Sequence, residues 1–359
     1  MTMRAWLLER PGVLPHARLR LGERPLPEPG PGEVRLVVRA CGVCHTDLHT
    51  VEGELSPSLQ PITPGHQVIG IVDAVGPGVT GIRPGERRGV FWLHRACGRC
   101  DACRRGDENL CPDAAFTGLD AHGGYAEAMV APAAYTVPIP AGFSDAEAAP
   151  LLCAGVIGYR ALRLSELKPG ECLALFGFGA SAHLVLQVAR HWGCQVIVYT
   201  RGESRRRLAR ELGAVWAGGA EILSDAATGR PSPAPPAQPS APPGRSSLPP
   251  VADRAIIFAP AGELVPLALR AVRPGGTVAI NAVHMSDIPS FPYRLLHGER
   301  TLRSVAHVTR ADAEEFLRLA ATIPIRVRTQ VYPFSAADRA LADLKAGAVD
   351  GAAVLQVAG

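Results

Sequence analysis

The sequence predicts an α/β protein in two parts: a β-rich first portion, then a doubly wound parallel sheet with helices on its faces. Three observations predict it. Short alternating runs separated by Pro-Gly turns fill the first third, strands recur with helices from about residue 156 onward, and 359 residues make about two domains at roughly 150 each.

In the first portion, Val34, Leu36 and Val38 alternate within residues 33–40, and residues 68–75 read as a second strand. Pro31-Gly32, Pro64-Gly65, Gly76-Pro77-Gly78 and Pro84-Gly85 punctuate these runs, because Pro fixes φ and Gly permits positive φ. The expectation is an all-β first portion with many loops. Beyond residue 156, residues 172–176 are a short apolar run, a glycine-rich turn follows, and 182–191 has a helical pattern. Residues 195–199 are the next strand, and 204–212 a helix with a basic face that Gly213 stops. Residues 255–258 and 277–281 continue the series, and the alternation implies parallel pairing through crossovers. Residues 224–250 interrupt it with nine prolines in 27 residues, no aromatics and three charges. Such a stretch buries too little surface to offset its ordering entropy, so a flexible, partly extended insert is expected there.

Composition bounds the function. Hydrophobic residues are 47% and charged residues 19%, which supplies a sizeable core and excludes wholesale disorder. A net charge of +4 with scattered arginines makes a weak case for nucleic acid. No run of about 18 apolar residues predicts a membrane span. Met1-Thr2-Met3-Arg4-Ala5-Trp6 has no apolar signal core, so a cytoplasmic location is expected. With nine cysteines, an odd number, metal ligation is a better expectation than disulfides.

Cys97, Cys100, Cys103 and Cys111 place four thiols within fifteen positions. That density suits a closed tetrahedral zinc site with Zn–S near ~2.3 Å. An iron–sulfur cluster is the rival, since Pro112 follows Cys111, but the ferredoxin run has three residues before its last cysteine where this chain has seven. A second set is sparser: Cys44 in Gly42-Val43-Cys44-His45-Thr46-Asp47-Leu48-His49, His66 after Pro64-Gly65, and Cys153 in Leu152-Cys153-Ala154-Gly155. Two thiolates and one imidazole would leave the fourth zinc position to water or substrate. Spacing alone does not group these three. A histidine after a turn is commonly a polar loop residue, and a cysteine in an apolar run is commonly core.

Gly177-Phe178-Gly179-Ala180-Ser181-Ala182 reads G-x-G-x-x-A between a strand and a helix. Its first glycine allows the tight turn, its second a close backbone approach to pyrophosphate, and its third small residue close helix packing. The alternative is a tight strand–helix turn that binds nothing. The next strand ends in Tyr199-Thr200-Arg201-Gly202, without the acid that would hold a ribose 2′-hydroxyl. Arg201, with Arg205 and Arg206 nearby, suits a 2′-phosphate, which points to NADP over NAD.

Taken together, the Gly42–His49 run, the Gly65-His66 pair, the cysteine quartet and Cys153-Ala154-Gly155 resemble the zinc-dependent alcohol dehydrogenases of the medium-chain dehydrogenase family, over nearly the whole chain apart from the Pro-rich insert. The resemblance implies a GroES-like catalytic domain over residues 1–155, a Rossmann cofactor domain over 156–308 and a return to the catalytic domain over 309–359. It implies two Zn²⁺ per chain: catalytic zinc on Cys44, His66 and Cys153, structural zinc on Cys97, Cys100, Cys103 and Cys111. Thr46 would hydrogen-bond the alcohol, and the proton would pass through the cofactor ribose to His49. His45 would lie near the pyrophosphate, Asp47 would hold His66 in one tautomer, and Trp92 would line the alcohol pocket. Gly177, Gly179, Ala180, Ser181, Ala182, Thr200, Arg201 and Arg206 would bind NADP or NAD. Gln67 stands where the family usually has Glu, so the site is expected to be closer to neutral and more Lewis acidic. Ala180-Ser181-Ala182 carries fewer glycines than is common in bacterial relatives. The implied reaction interconverts alcohols and aldehydes or ketones, primary alcohols foremost, in a homodimer or homotetramer. A polyol or formaldehyde-type dehydrogenase on the same fold, or a non-catalytic zinc and nucleotide binder, are the alternatives.

Overall fold

The computed structural model describes residues 1–224, 249–282 and 284–358. Chain order begins β1 (Thr2–Arg10), β2 (Arg18–Pro25), β3 (Glu33–Val43), α1 (His45–Glu52), β4 (Gln67–Val75), β5 (Arg87–Val90), β6 (Leu93–Arg95), α2 (Asp101–Arg104), β7 (Ala115–Phe116), β8 (Ala128–Pro132), β9 (Thr136–Pro138) and α3 (Asp145–Pro150). It continues α4 (Val156–Ser165), β10 (Cys172–Phe176), α5 (Ala180–His191), β11 (Gln195–Tyr199), α6 (Glu203–Glu211), β12 (Trp216–Gly218), β13 (Ala252–Ile257), α7 (Leu264–Ala271), β14 (Val272–Ile280) and β15 (Thr301–Ser304). It closes with α8 (Arg310–Ala320), β16 (Thr329–Pro333), α9 (Ala337–Lys345) and β17 (Ala352–Gln356). Two compact units result: Met1–Val156 with His307–Gly359, and Ile157–Ala306.

In the first unit a mixed sheet runs β16-β17-β3-β4-β5-β9, with β8 also paired to β3. Its spine is β3, whose alternating Val34, Leu36, Val38 and Ala40 are fully buried. Each branched side chain contributes on the order of 2 kcal/mol by leaving water. At the far end of β3 the alternation stops and Cys41, Gly42 and Val43 are all buried. The cause is a strand on either side: Gly42 pairs with Val354 of β17 and with Gln67 of β4. The C-terminal strand therefore walls the stretch of chain that delivers Cys44. The same tail is tied to the N-terminus by Trp6, whose Nε1–H donates to the Phe334 carbonyl at 2.8 Å.

The all-β expectation for this portion is corrected, because α1, α2 and α3 interrupt it. Two of these are nucleated by reciprocal capping boxes, Cys44 with Asp47 for α1 and Ser144 with Glu147 for α3. Each satisfies orphan N–H groups at the helix start and so favours even a short helix. Strand β3 runs three residues beyond the expected 33–40, and the hairpin β1–β2 has no counterpart in the sequence reading.

In the second unit the order is β12-β11-β10-β13-β14-β15, with every neighbouring pair parallel. Strand order reverses between β10 and β13, the place where doubly wound sheets open a crevice for ligands at their carboxyl ends. Phe176, Ile197, Ile257 and Val278 pack one face with Val265 and Leu269 of α7. Helix α5 starts two residues before the expected 182, immediately after Gly179. Helix α6 stops before Gly213, whose φ of +97° is a left-handed value that suits glycine. Of the Pro-rich segment 224–250, residues 225–248 lie outside the described residues. Among the described residues no helix is long and apolar enough to cross a membrane.

Candidate active site and metal centres

Three separated segments bring Cys44, His66 and Cys153 together, with their ligand atoms all within 4.8 Å of one another. Each segment has its own device. Cys44 caps α1 and its Sγ accepts the Thr46 N–H at 3.4 Å. His66 follows Gly65, whose φ is +101°. A Cβ at Gly65 would run into the Tyr125 ring and meet Cys41 Sγ at 2.8 Å, so only glycine lets the chain pass. Cys153 sits on a single π-helical turn, Leu151–Gly155, that follows Pro150. Such widened turns recur at functional sites because they re-aim one side chain. This turn gave no signal in the sequence. Gly155 within it leaves room for the Phe316 ring of α8.

Asp47 does two jobs. Its Oδ2 accepts the Cys44 backbone N–H at 2.9 Å, and its Oδ1 lies 3.0 Å from His66 Nδ1. Both side chains are buried, Asp47 at 2% exposure and His66 at 1%. The carboxylate therefore holds the proton on Nδ1 and aims Nε2 at the trio, 3.4 Å from Cys44 Sγ. Tetrahedral zinc with ordinary Zn–S and Zn–N lengths separates S and N by roughly 3.5 Å. A hydrogen bond shared with Cys153, together with burial, pushes the Cys44 thiol well up. Burial alone would lower His66, but Asp47 and Cys44 outweigh it and hold the imidazole well above its usual value. Those protons are the ones a divalent cation displaces on binding. Donor set, spacing and fixed tautomer all fit zinc.

Thr46 and His49 lie on α1, and His49 Nδ1 is 2.7 Å from Glu54 Oε2. Glu54 is a partner that sequence reasoning missed. His45 opens α1 and is exposed. Gln67 is buried beside His66, and its amide lies over Gly42, where a Cβ would come 2.6 Å from Oε1. Trp92 stands edge-on to His66, with ring centroids 5.1 Å apart, and stacks on Phe116 at 4.9 Å. Cys41 is buried outside the trio.

Cys97, Cys100, Cys103 and Cys111 form a second centre, their Sγ atoms also within 4.8 Å of one another. Backbone N–H groups turn inward to the sulfurs: Cys100 N–H to Cys97 Sγ at 3.3 Å, and Cys97 N–H to Cys111 Sγ at 3.4 Å. The N–H groups of Arg99 and Cys100 draw the Cys97 thiol down to about 6, while desolvation and the neighbouring sulfurs push Cys103 up to about 12. Cys97 and Cys103 Sγ are 3.9 Å apart, close to the roughly 3.8 Å edge of a zinc tetrathiolate. Beside this lobe, Arg310 of α8 pairs with buried Glu108 at 2.9 Å and lies over the Tyr135 ring. This clamp was also invisible in sequence, its partners being 202 positions apart.

In the second unit, Gly177 has a φ of +92°, and a Cβ there would meet the Ala259 N at 2.9 Å. Gly179 is the N-cap of α5 with no side-chain cap, and a Cβ there would find no atom within 4 Å. Open space before uncapped N–H groups is what a pyrophosphate needs. Ala180, Ser181 and Ala182 form the first turn of α5, with Ala182 fully buried. Thr200 is buried at the end of β11, and its carbonyl accepts Arg206 Nε–H at 3.0 Å. Arg201 is exposed beyond it. Glu203, the nearest acid, is held by Arg210 at 2.8 Å.

Residues 30–141 match the alcohol dehydrogenase GroES-like domain. The chain is 46% identical to the probable alcohol dehydrogenase AdhA of Mycobacterium tuberculosis, over 99% of this chain and 98% of that protein. Among solved structures it is similar to a cobalt- and zinc-bound thermostable alcohol dehydrogenase from Pyrobaculum aerophilum, with a TM-score of 0.83, 25% identity, and 99% of this chain and 100% of that one covered. It is also similar to acetophenone reductase from Geotrichum candidum in complex with NAD, with a TM-score of 0.80, 25% identity, and 99% and 97% coverage.

Proposed function

The chain belongs to the zinc-dependent alcohol dehydrogenase family and is an NAD(P)-dependent alcohol oxidoreductase; from that premise we propose that it interconverts primary alcohols and aldehydes with NADP. The observation that carries this reading is the Cys44–His66–Cys153 trio, its imidazole oriented by Asp47 and flanked by Trp92.

Zinc on this trio would polarise the substrate oxygen, and the nicotinamide would give or take the hydride. The chain's own groups do the rest. Asp47 keeps the Nδ1 proton on His66 so that Nε2 stays a ligand. Thr46 hydrogen-bonds the substrate hydroxyl and passes its proton toward His49, whose Nδ1 is oriented by the Glu54 carboxylate. Trp92 and Phe116 supply an apolar wall that excludes water from that side. Gln67, where an acid is usual, keeps the surroundings of two thiolates from becoming more negative. Cys97, Cys100, Cys103 and Cys111 would hold a second zinc that staples their lobe.

Arg201 supports NADP. It is exposed past the end of β11, and Glu203, the next acid along the chain, is engaged by Arg210. Gly177, Gly179, Ser181, Thr200 and Arg206 would complete the second unit's share of the cofactor site. A reducing cytoplasm suits nine free cysteines, and a dimer or tetramer is the assembly the family likeness favours.

The test is alcohol oxidation and aldehyde reduction by the zinc-loaded protein, with NADPH and NADH compared by kcat/KM over primary, secondary and polyol substrates. The expected result is turnover favouring NADPH, with Arg201→Ala lowering kcat/KM for NADPH by about 10-fold or more and leaving NADH nearly unchanged. Equal use of both cofactors would remove the NADP assignment, and a polyol preference would replace the primary-alcohol one.

A further inference from the structure

His307 is one of three non-glycine residues in the described chain with a left-handed backbone, at φ +53°. For a residue with a Cβ that conformation is strained, and such strain gathers where a side chain must be aimed. Its ring lies 4.7 Å from Phe116 and 6.4 Å from Trp92, extending their stack by one more ring. Its Nδ1 accepts the Trp92 Nε1–H at 3.1 Å. Trp92 thus has two faces of contact and one hydrogen bond. Its ring stacks on Phe116 at 16°, packs T-shaped against His66, and spends its only side-chain N–H on His307.

An indole in a pocket wall can rotate about two side-chain bonds unless its N–H is tied. Here the tie comes from a residue 215 positions away, in the segment that returns to the first unit after the sheet of the second. The wall position of Trp92 fixes how much room remains beside His66 and therefore which alcohols fit.

We propose that His307 is a positioning residue that pins Trp92 edge-on to His66 and so sets the size limit of the alcohol pocket. The inference rests on the trio being the site of alcohol turnover. Excluding a bulky or branched alcohol by one indole is worth about tenfold or more in kcat/KM, the range that a methylene-sized change in a pocket delivers.

The variants are His307→Ala, which removes the acceptor, and His307→Asn, which keeps an acceptor and tolerates the left-handed backbone. A third, His307→Gly, removes the acceptor while relieving the backbone, so a loss seen with Ala from misfolding alone would be absent with Gly. Two readouts are taken on zinc-loaded protein. One is the ratio of kcat/KM for benzyl alcohol to that for ethanol. The other needs no turnover: the ¹⁹F line of 5-fluorotryptophan at position 92, assigned by its loss in Trp92→Phe. The expected result is a ratio raised about tenfold in Ala and Gly but not in Asn. The fluorine line should broaden or split in the same two variants. An unchanged line and ratio in Ala and Gly would overturn the proposal, and so would an Asn variant that behaves like Ala. If the wild type turns over neither alcohol, the activity reading fails, and the fluorine line alone still decides whether His307 pins Trp92.

Discussion

The two cysteine centres of the first unit use similar atoms for different ends. The quartet takes all four ligands from one short loop, turns backbone N–H groups onto its sulfurs, and is closed by a fourth thiol. The trio collects its ligands from a helix cap, a Pro-Gly turn and a π-turn, substitutes an imidazole for one sulfur, and stops at three. Where the quartet has a fourth sulfur, the trio has Trp92 edge-on to His66 and Thr46 two residues from Cys44. A centre complete in itself suits stability. A centre one ligand short, with its tautomer fixed from outside by Asp47, suits chemistry.

That contrast breaks if the two centres respond alike to losing a ligand. Cys44→Ser should lower kcat/KM by on the order of 10³-fold or more while the melting temperature moves little. Cys103→Ser should do the reverse, costing roughly 10 °C or more in Tm as the lobe loses its staple. Steady-state kinetics and thermal melts on both variants check this. Asp47→Asn sharpens it: zinc affinity at the trio should weaken by about 10–100-fold, read by competition with a chromophoric chelator, with the quartet unaffected.

A smaller effect comes from two histidines of the same unit that are ligands of neither centre. Just before the quartet lobe, burial, reinforced by Arg95, lowers His94 to about 4 against an opposing Asp120. His122 is lowered to about 4 by burial and by Arg24. The unfolded chain takes up protons near pH 6.5 and the folded one not until about 4, so stability is complete above 6.5 and falls as pH drops from 6.5 to 4. His94→Gln should remove on the order of 3 kcal/mol of that acid loss, measured by urea unfolding at pH 7 and pH 4.5. The smallest expected change is at Gln67. Gln67→Glu adds an anion beside two thiolates and should raise the pH midpoint of hydride transfer by about one unit. An unchanged midpoint would show that this position has no electrostatic hold on the site.

The same contrast explains what could be read from the chain. The quartet's spacing is local, so four cysteines in fifteen positions announce a metal centre without any fold. The parallel sheet was legible for a similar reason: apolar runs, the Gly177–Gly179 turn and Gly213 are local signals, and all lie where strand and helix ends require them. The trio was legible only through family resemblance, because nothing in Cys44, His66 or Cys153 alone reports that β17, β4 and a π-turn bring them together. The helix α1 was missed since its capping box uses a thiol where Ser or Thr is usual. Glu54 on His49, His307 on Trp92 and Arg310 on Glu108 are tertiary pairings, and no periodicity records them.

The most direct test of the division between open and closed centres is stepwise zinc removal. Turnover and Tm are followed on the same samples against zinc per chain as a chelator is added. Two zinc ions are expected, the first lost with all of the turnover and little of the stability, the second with the stability. Turnover that survives loss of the first zinc, or a single zinc whose removal takes both together, would contradict that division.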